Sequence, residues 1–193
     1  LYTSVTTYYF LIGSLVTIVI STFSNELLRL VGGNKEYLEA YKVVPFVMFG
    51  YLFYGVINII TVGIYMQRKL GYYVYIFCFS LLVNVILNYL FIPKFGYMAA
   101  AYITLITYVV LASFSFVVSN TFYKIHIEGK RLLQILASGL FVLIAGNVGA
   151  PDSILHAALF KSVLILSMLV FGYFFILNRN EKDIIHGWLG RRV

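Results

Sequence analysis

Cysteine is nearly missing from this chain: Cys78 is the single one among 193 residues. No disulfide can form within the sequence, and no redox compartment can be read from it. Cys78 falls inside an apolar run, where a place in the core is its expected use. Charge is scarce as well, at 11% of residues, against roughly 25% in soluble domains, which excludes an ordinary water-soluble protein. There are seven Asp and Glu residues, all expected at span ends or in loops, and His126 and His186 fall in polar loops where exposure is the default. An intramembrane enzyme needs acids or histidines at depth. Glycine-rich nucleotide loops, His/Cys metal spacings and a nucleophile beside an acid and a base are also lacking. Catalysis, a metal and a cofactor are therefore not expected.

What the chain does have is apolar sequence, 62% of residues, with a mean hydropathy of +0.94. The runs are long and unbroken, without the alternation of an outer-membrane barrel, so the backbone must satisfy its own hydrogen bonds as helices in lipid. The fold class predicted is all-α integral membrane. Residues 84–104 organise it. One apolar run ends at Pro93-Lys94-Phe95-Gly96, where proline stops a helix and glycine permits a turn, and a second run begins at once. About 20 apolar residues stand on each side, enough at about 1.5 Å per residue to cross a hydrocarbon core of about 30 Å.

Counting outward from this hairpin gives six spans, at 7–24, 43–66, 72–92, 97–122, 132–148 and 154–177. In the first, Gly13, Ser14, Thr17 and Ser21 are small residues suited to close helix packing. Gly32-Gly33 reads as a helix stop, and Asn34 with Glu36 as a new N-terminus. A kink is expected at Pro45. Tyr72, Tyr73, Tyr97 and Tyr123 sit where aromatic belts form. Residues 179–193 place Ile184, Ile185, Trp188 and Leu189 on one helical face, as an amphipathic tail lying on the membrane would.

The net charge of +7 is spread over span ends rather than gathered in one patch, so membrane orientation explains it better than nucleic acid. The side with the 67–71 turn, the 124–131 loop and the tail holds Arg68, Lys69, Lys124, Lys130, Arg131, Arg179, Lys182, Arg191 and Arg192. The other side holds Arg29, Lys35, Lys42 and Lys94. The positive-inside rule then puts the C-terminus in the cytoplasm and the Pro93–Gly96 hairpin outside. The chain opens at Leu1, with neither an initiator methionine nor a signal-peptide pattern, and reads as part of a longer protein.

Polar residues inside the spans are the functional candidates. Tyr51, Asn58 and Tyr65 are spaced by sevens on the second span, and Ser80, Asn84 and Asn88 by fours on the third, so each set shares a helical face. Two readings stand: interhelical hydrogen bonding, or the lining of a wet cavity for a polar substrate. Lys161 is the only charge expected within a span, which makes it a functional candidate by default. Seven residues past Ile154, about 10 Å along a helix, its stem is also long enough to snorkel toward the surface.

Two stretches resemble a known family. Leu30-Val-Gly-Gly-Asn-Lys-Glu-Tyr37-Leu-Glu-Ala40 is similar to a leucine-rich helix end, a glycine and a Tyr-x-x-Ala helix start. Asn88-Tyr-Leu-Phe-Ile-Pro93-Lys-Phe-Gly96-Tyr-Met-Ala-Ala100-Ala-Tyr-Ile-Thr104 resembles an Asn-x-x-Leu-Ile-Pro-x-x-Gly-x-x-Gly-Ala-Ala-x-x-Thr signature, with Ala99 where glycine is usual. Both belong to the C-terminal part of bacterial polysaccharide exporters, the O-antigen and capsule lipid flippases, in the superfamily of MATE drug exporters and the lipid II flippase. The likeness covers most of residues 25–125. It implies that these are the last six of fourteen spans, forming most of the C-terminal lobe of a two-lobe MATE-like flippase in the bacterial inner membrane, with the N-terminal lobe upstream.

It further implies that the second and third spans line a central cavity, and that the cargo is an undecaprenyl-diphosphate-linked oligosaccharide. Neutral Asn and Tyr suit hydroxyl-rich sugars, and a cation such as Lys161 suits the diphosphate. Membrane lipids are the other expected partners. The rivals are a cation-coupled multidrug exporter of the same superfamily, which ordinarily wants a buried carboxylate, and a non-transporting membrane subunit whose polar stripes only pack.

Overall fold

A computed structural model describes residues 2–31, 39–124, 128–149 and 154–176. Among them there is no strand. Helix α1 runs Tyr2–Val31, and a 3-10 turn Ala40–Lys42 leads into α2, Val44–Ile60. A short α3, Val62–Met66, follows, then α4, Leu70–Phe95, α5, Tyr97–Phe122, and α6, Gly129–Val148. Helix α7, Ile154–Phe171, ends in a π-helical turn, Gly172–Ile176. Among the described residues, six segments are long and apolar enough to cross a membrane: Val5–Val31, Ala40–Met66, Leu70–Phe95, Tyr97–Phe122, Gly129–Val148 and His156–Phe174. The described residues thus form an all-helical bundle with six candidate transmembrane helices. The Gly32-Gly33 stop, the Asn34 cap, His126, the 150–153 turn and the 179–193 tail lie outside the described residues.

Several boundaries differ from the sequence expectations for local reasons. The first candidate span runs on past the expected end at residue 24 to Val31, the last residue before the Gly32-Gly33 stop read from sequence, and so takes in Glu26; there the Arg29 Nε donates to Asn25 Oδ1 at 3.2 Å, one turn apart. Pro45 sits in the first turn of α2, where a missing N–H costs no helical hydrogen bond, so it opens the helix instead of kinking it. The break in this span comes at Thr61, between α2 and α3. Pro93 lies within the last turn of α4, and the helix ends only at Gly96, whose φ of +66° reverses the chain. The Gly96 N–H still donates to Ile92 O at 2.8 Å, and α5 starts at the next residue.

In packing order the helices run α4, α5, α2, α1, α6, α7, with α7 also touching α1. The main core gathers Phe10, Leu52, Val56, Ile57, Ile60, Ile64, Ile76, Leu111, Ala112 and Ile135, and a second cluster holds Ile18, Val142 and Ile165. Since lipid is as apolar as these side chains, close fit rather than water exclusion holds such helices together. Gly13 accordingly lies under Leu52, and Gly139 under Ile18. Ser14, Thr17 and Ser21 are buried along α1, in the packing role expected of them. Helix α4 packs mainly along one flank of α5, which leaves most of its surface open. Cys78 is on that open surface and is exposed, not in the core.

Candidate functional site

The polar residues of α2 point out of the bundle. Tyr51 is 55% exposed and Tyr54 39% exposed, and Asn58 is exposed as well. None of these three side chains makes a hydrogen bond to the described protein. The Tyr108 ring, on α5, completes the face, with its centroid 6.0 Å from that of Tyr51 and 5.0 Å from that of Tyr54. Tyr108 is held there because α2 has Gly50 beneath it, where an added Cβ would come within 3.1 Å of the Tyr108 Cδ2. Tyr54 was legible by spacing, three residues from Tyr51 and four from Asn58. Tyr108 was not, since only the packing of α5 on α2 brings it in.

Tyr65 does not continue this face by simple periodicity, because the helix is broken at Thr61. The Thr61 hydroxyl donates to Ile57 O at 2.7 Å, and the Gly63 N–H turns to the Ser119 Oγ of α5 at 3.1 Å. Tyr65 remains exposed, at 46%, and pairs with Tyr73 of α4 at 5.7 Å between ring centroids. Tyr73 in turn meets the Phe77 ring at a tilt, 4.7 Å between centroids. The break thereby ties the end of the second span to α4 through aromatic rings.

The stripe on α4 is organised differently. Asn88 Nδ2 donates to Asn84 Oδ1 at 2.9 Å, and Asn84 Nδ2 donates to the Thr107 Oγ1 of α5 at 2.9 Å. Ser80 is buried, with its hydroxyl unpartnered, as is the Asn88 Oδ1. This relay faces α5 and serves the α4–α5 contact. The two stripes therefore do not face one another directly: α5 stands between α2 and α4, giving Tyr108 to one and Thr107 to the other.

Lys161 lies apart from both, on α7 against α1 and α6. It is 2% exposed, and its Nζ donates to Thr22 O at 2.8 Å and to Glu26 Oε1 at 2.7 Å. The lysine does not snorkel; it forms a buried ion pair with a carboxylate one turn beyond Thr22 on α1. Glu26, the partner of Lys161, is the residue that sequence reasoning passed over. The signal was its place between the apolar run and the Gly32-Gly33 stop, a stretch that belongs to the first candidate span, Val5–Val31. Removing either partner alone would strand a buried charge, at roughly 3–5 kcal/mol.

No group of three His, Cys, Asp or Glu residues able to hold a metal occurs among the described residues. A cavity of about 690 Å³ between α1, α2, α5 and α6 is lined mainly by apolar residues such as Phe46, Phe49, Phe53 and Leu140, and it contains none of the seven candidates. Compared with protein-family models, curated proteins and solved structures, the chain gives no match.

Proposed function

We propose that this chain forms most of the C-terminal lobe of a two-lobe, MATE-like flippase in the bacterial cytoplasmic membrane. It moves an undecaprenyl-diphosphate-linked oligosaccharide from the cytoplasmic to the outer leaflet by alternating access, with its C-terminus in the cytoplasm. The observation that supports this most is the outward face of Tyr51, Tyr54 and Asn58 with Tyr108 beside it. Polar groups at membrane depth that the protein leaves unpartnered are costly against hydrocarbon, so such a face belongs beside water or a polar ligand. Hydroxyls, an amide and aromatic rings suit a sugar chain, while the polyprenyl tail stays in the bilayer. The motif resemblance in residues 25–125 points the same way.

The contrast between the two stripes supplies the test, in the full-length protein complementing a flippase-deficient strain. Asn58→Leu is expected to insert and accumulate at the wild-type level, since leucine is favoured in the membrane, and to lose most of its surface polysaccharide. Asn84→Leu is expected to reduce heat stability instead, by about 0.6 kcal/mol per interhelical hydrogen bond lost. Normal export at normal abundance for Asn58→Leu would refute the path along α2.

A second reading, a cation-coupled exporter of the same superfamily, is favoured by one observation: the buried carboxylate of Glu26. Drug resistance conferred by the full-length chain, without restored polysaccharide, would select it over the first.

A further inference from the structure

The groups that the proposed sugar path does not use come together where the C-terminal third of α1 meets α6 and α7. The Lys161 Nζ is held there by Thr22 O at 2.8 Å and Glu26 Oε1 at 2.7 Å. On the two residues that hold it, Glu26 Oε2 and Thr22 Oγ1 are buried and make no hydrogen bond. Two orphaned oxygens on the residues that hold one buried ammonium are more than a structural ion pair requires, because buried polar atoms are ordinarily satisfied. Helix α6 closes the place with a glycine: a Cβ on Gly146 would lie 3.1 Å from Thr22 Cγ2 and 3.7 Å from Lys161 Cγ.

The donors are all oxygen: one backbone carbonyl, one hydroxyl and one carboxylate. Oxygen-only sets select hard cations over transition metals. A single carboxylate balances one positive charge, and Lys161 now supplies it. We propose that this is a monovalent-cation site in which the Lys161 ammonium acts as a tethered resident cation, exchangeable for sodium. When the lysine withdraws, a sodium ion takes its place on Thr22 O, Thr22 Oγ1 and the Glu26 carboxylate, and the two cations exclude each other. The site is on α1 and α7, away from the Tyr51–Asn58 face, so it stands or falls independently of the sugar-carrier reading.

The test is thermal unfolding of the purified full-length protein in detergent, titrated with sodium chloride against choline chloride at constant ionic strength. Wild type is expected to respond weakly, because the lysine competes. Lys161→Met is expected to unfold at a lower temperature without sodium and to recover at least part of that loss as sodium, but not choline, is added. Lys161→Gln, which keeps a donor to Thr22 O, carries the same test if the methionine variant fails to accumulate. Adding Glu26→Gln to either variant is expected to abolish the sodium response. A sodium response in the lysine variants no larger than in wild type overturns the proposal. So does stabilisation by acid alone with sodium inert, which would make Glu26 a proton site.

Discussion

Gly96 and Gly71 show how one residue type acts in opposite directions. Neither has any atom within 4 Å of where a Cβ would stand, so space does not distinguish them. Gly96 has φ +66° and ψ −157°, a conformation essentially reserved for glycine, whereas Gly71 lies in the first turn of α4. Gly96→Ala is accordingly expected to destabilise the purified protein by about 1–3 kcal/mol. Gly71→Ala, which removes a flexible residue from a helix, is expected to stabilise it by about 0.5–1 kcal/mol. Thermal unfolding of both variants checks the sign, and a fall for both or a rise for both would remove backbone conformation as the cause. The Tyr51–Asn58 face likewise consists of polar groups that the fold presents without supplying their partners.

The second span is the element whose irregularity matters most. Thr61 bonds back to Ile57 O, Ile64 N–H reaches Thr61 O at 3.0 Å, and the helix restarts at Val62. Such a break strands a backbone donor in an apolar setting, and here the Gly63 N–H finds the Ser119 Oγ of α5. There is no room for a side chain at this crossing, since a Cβ on Gly63 would stand 2.6 Å from Ser119 O. Ser119→Ala should therefore cost about 1–3 kcal/mol, the penalty for a buried donor left unmade. Ser113→Ala, an exposed residue on the same helix whose hydroxyl only bonds back to Val109 O, should change stability little. Equal effects in a heat-stability assay would show that the serine does not complete the break.

For the whole molecule, orientation is the property on which the carrier reading depends. The side holding the 67–71 turn is rich in Lys and Arg, and the opposite side holds Lys94 at the hairpin. With Cys78 replaced, because it is itself exposed, Phe95→Cys in intact cells should react with an impermeant thiol reagent. Gly71→Cys and Gly129→Cys should react only after the membrane is opened. All three positions are exposed, so the reverse pattern would invert the orientation rather than report burial. The bundle's packing order places α4 and α5 at one end and α6 and α7 at the other, with the polar face and the buried ion pair on separate helices.

Length and apolarity determined the helical class and the six spans by themselves, because a backbone in lipid has no other way to satisfy its hydrogen bonds. The turn at Gly96 was legible for the same local reason, since glycine acts on its own backbone, whereas Pro93 did not stop the helix as expected. Spacing by sevens and fours likewise placed Tyr51, Asn58, Ser80, Asn84 and Asn88 on faces. What each face meets was not local. Only tertiary packing turned the Asn84 stripe onto Thr107, left Asn58 outward, broke the second span at Thr61 over Ser119, and brought Tyr108 beside Tyr51. It alone joined Lys161 to Glu26, 135 residues apart in sequence, because a helical period gives a direction about one axis and says nothing of which helix lies across it.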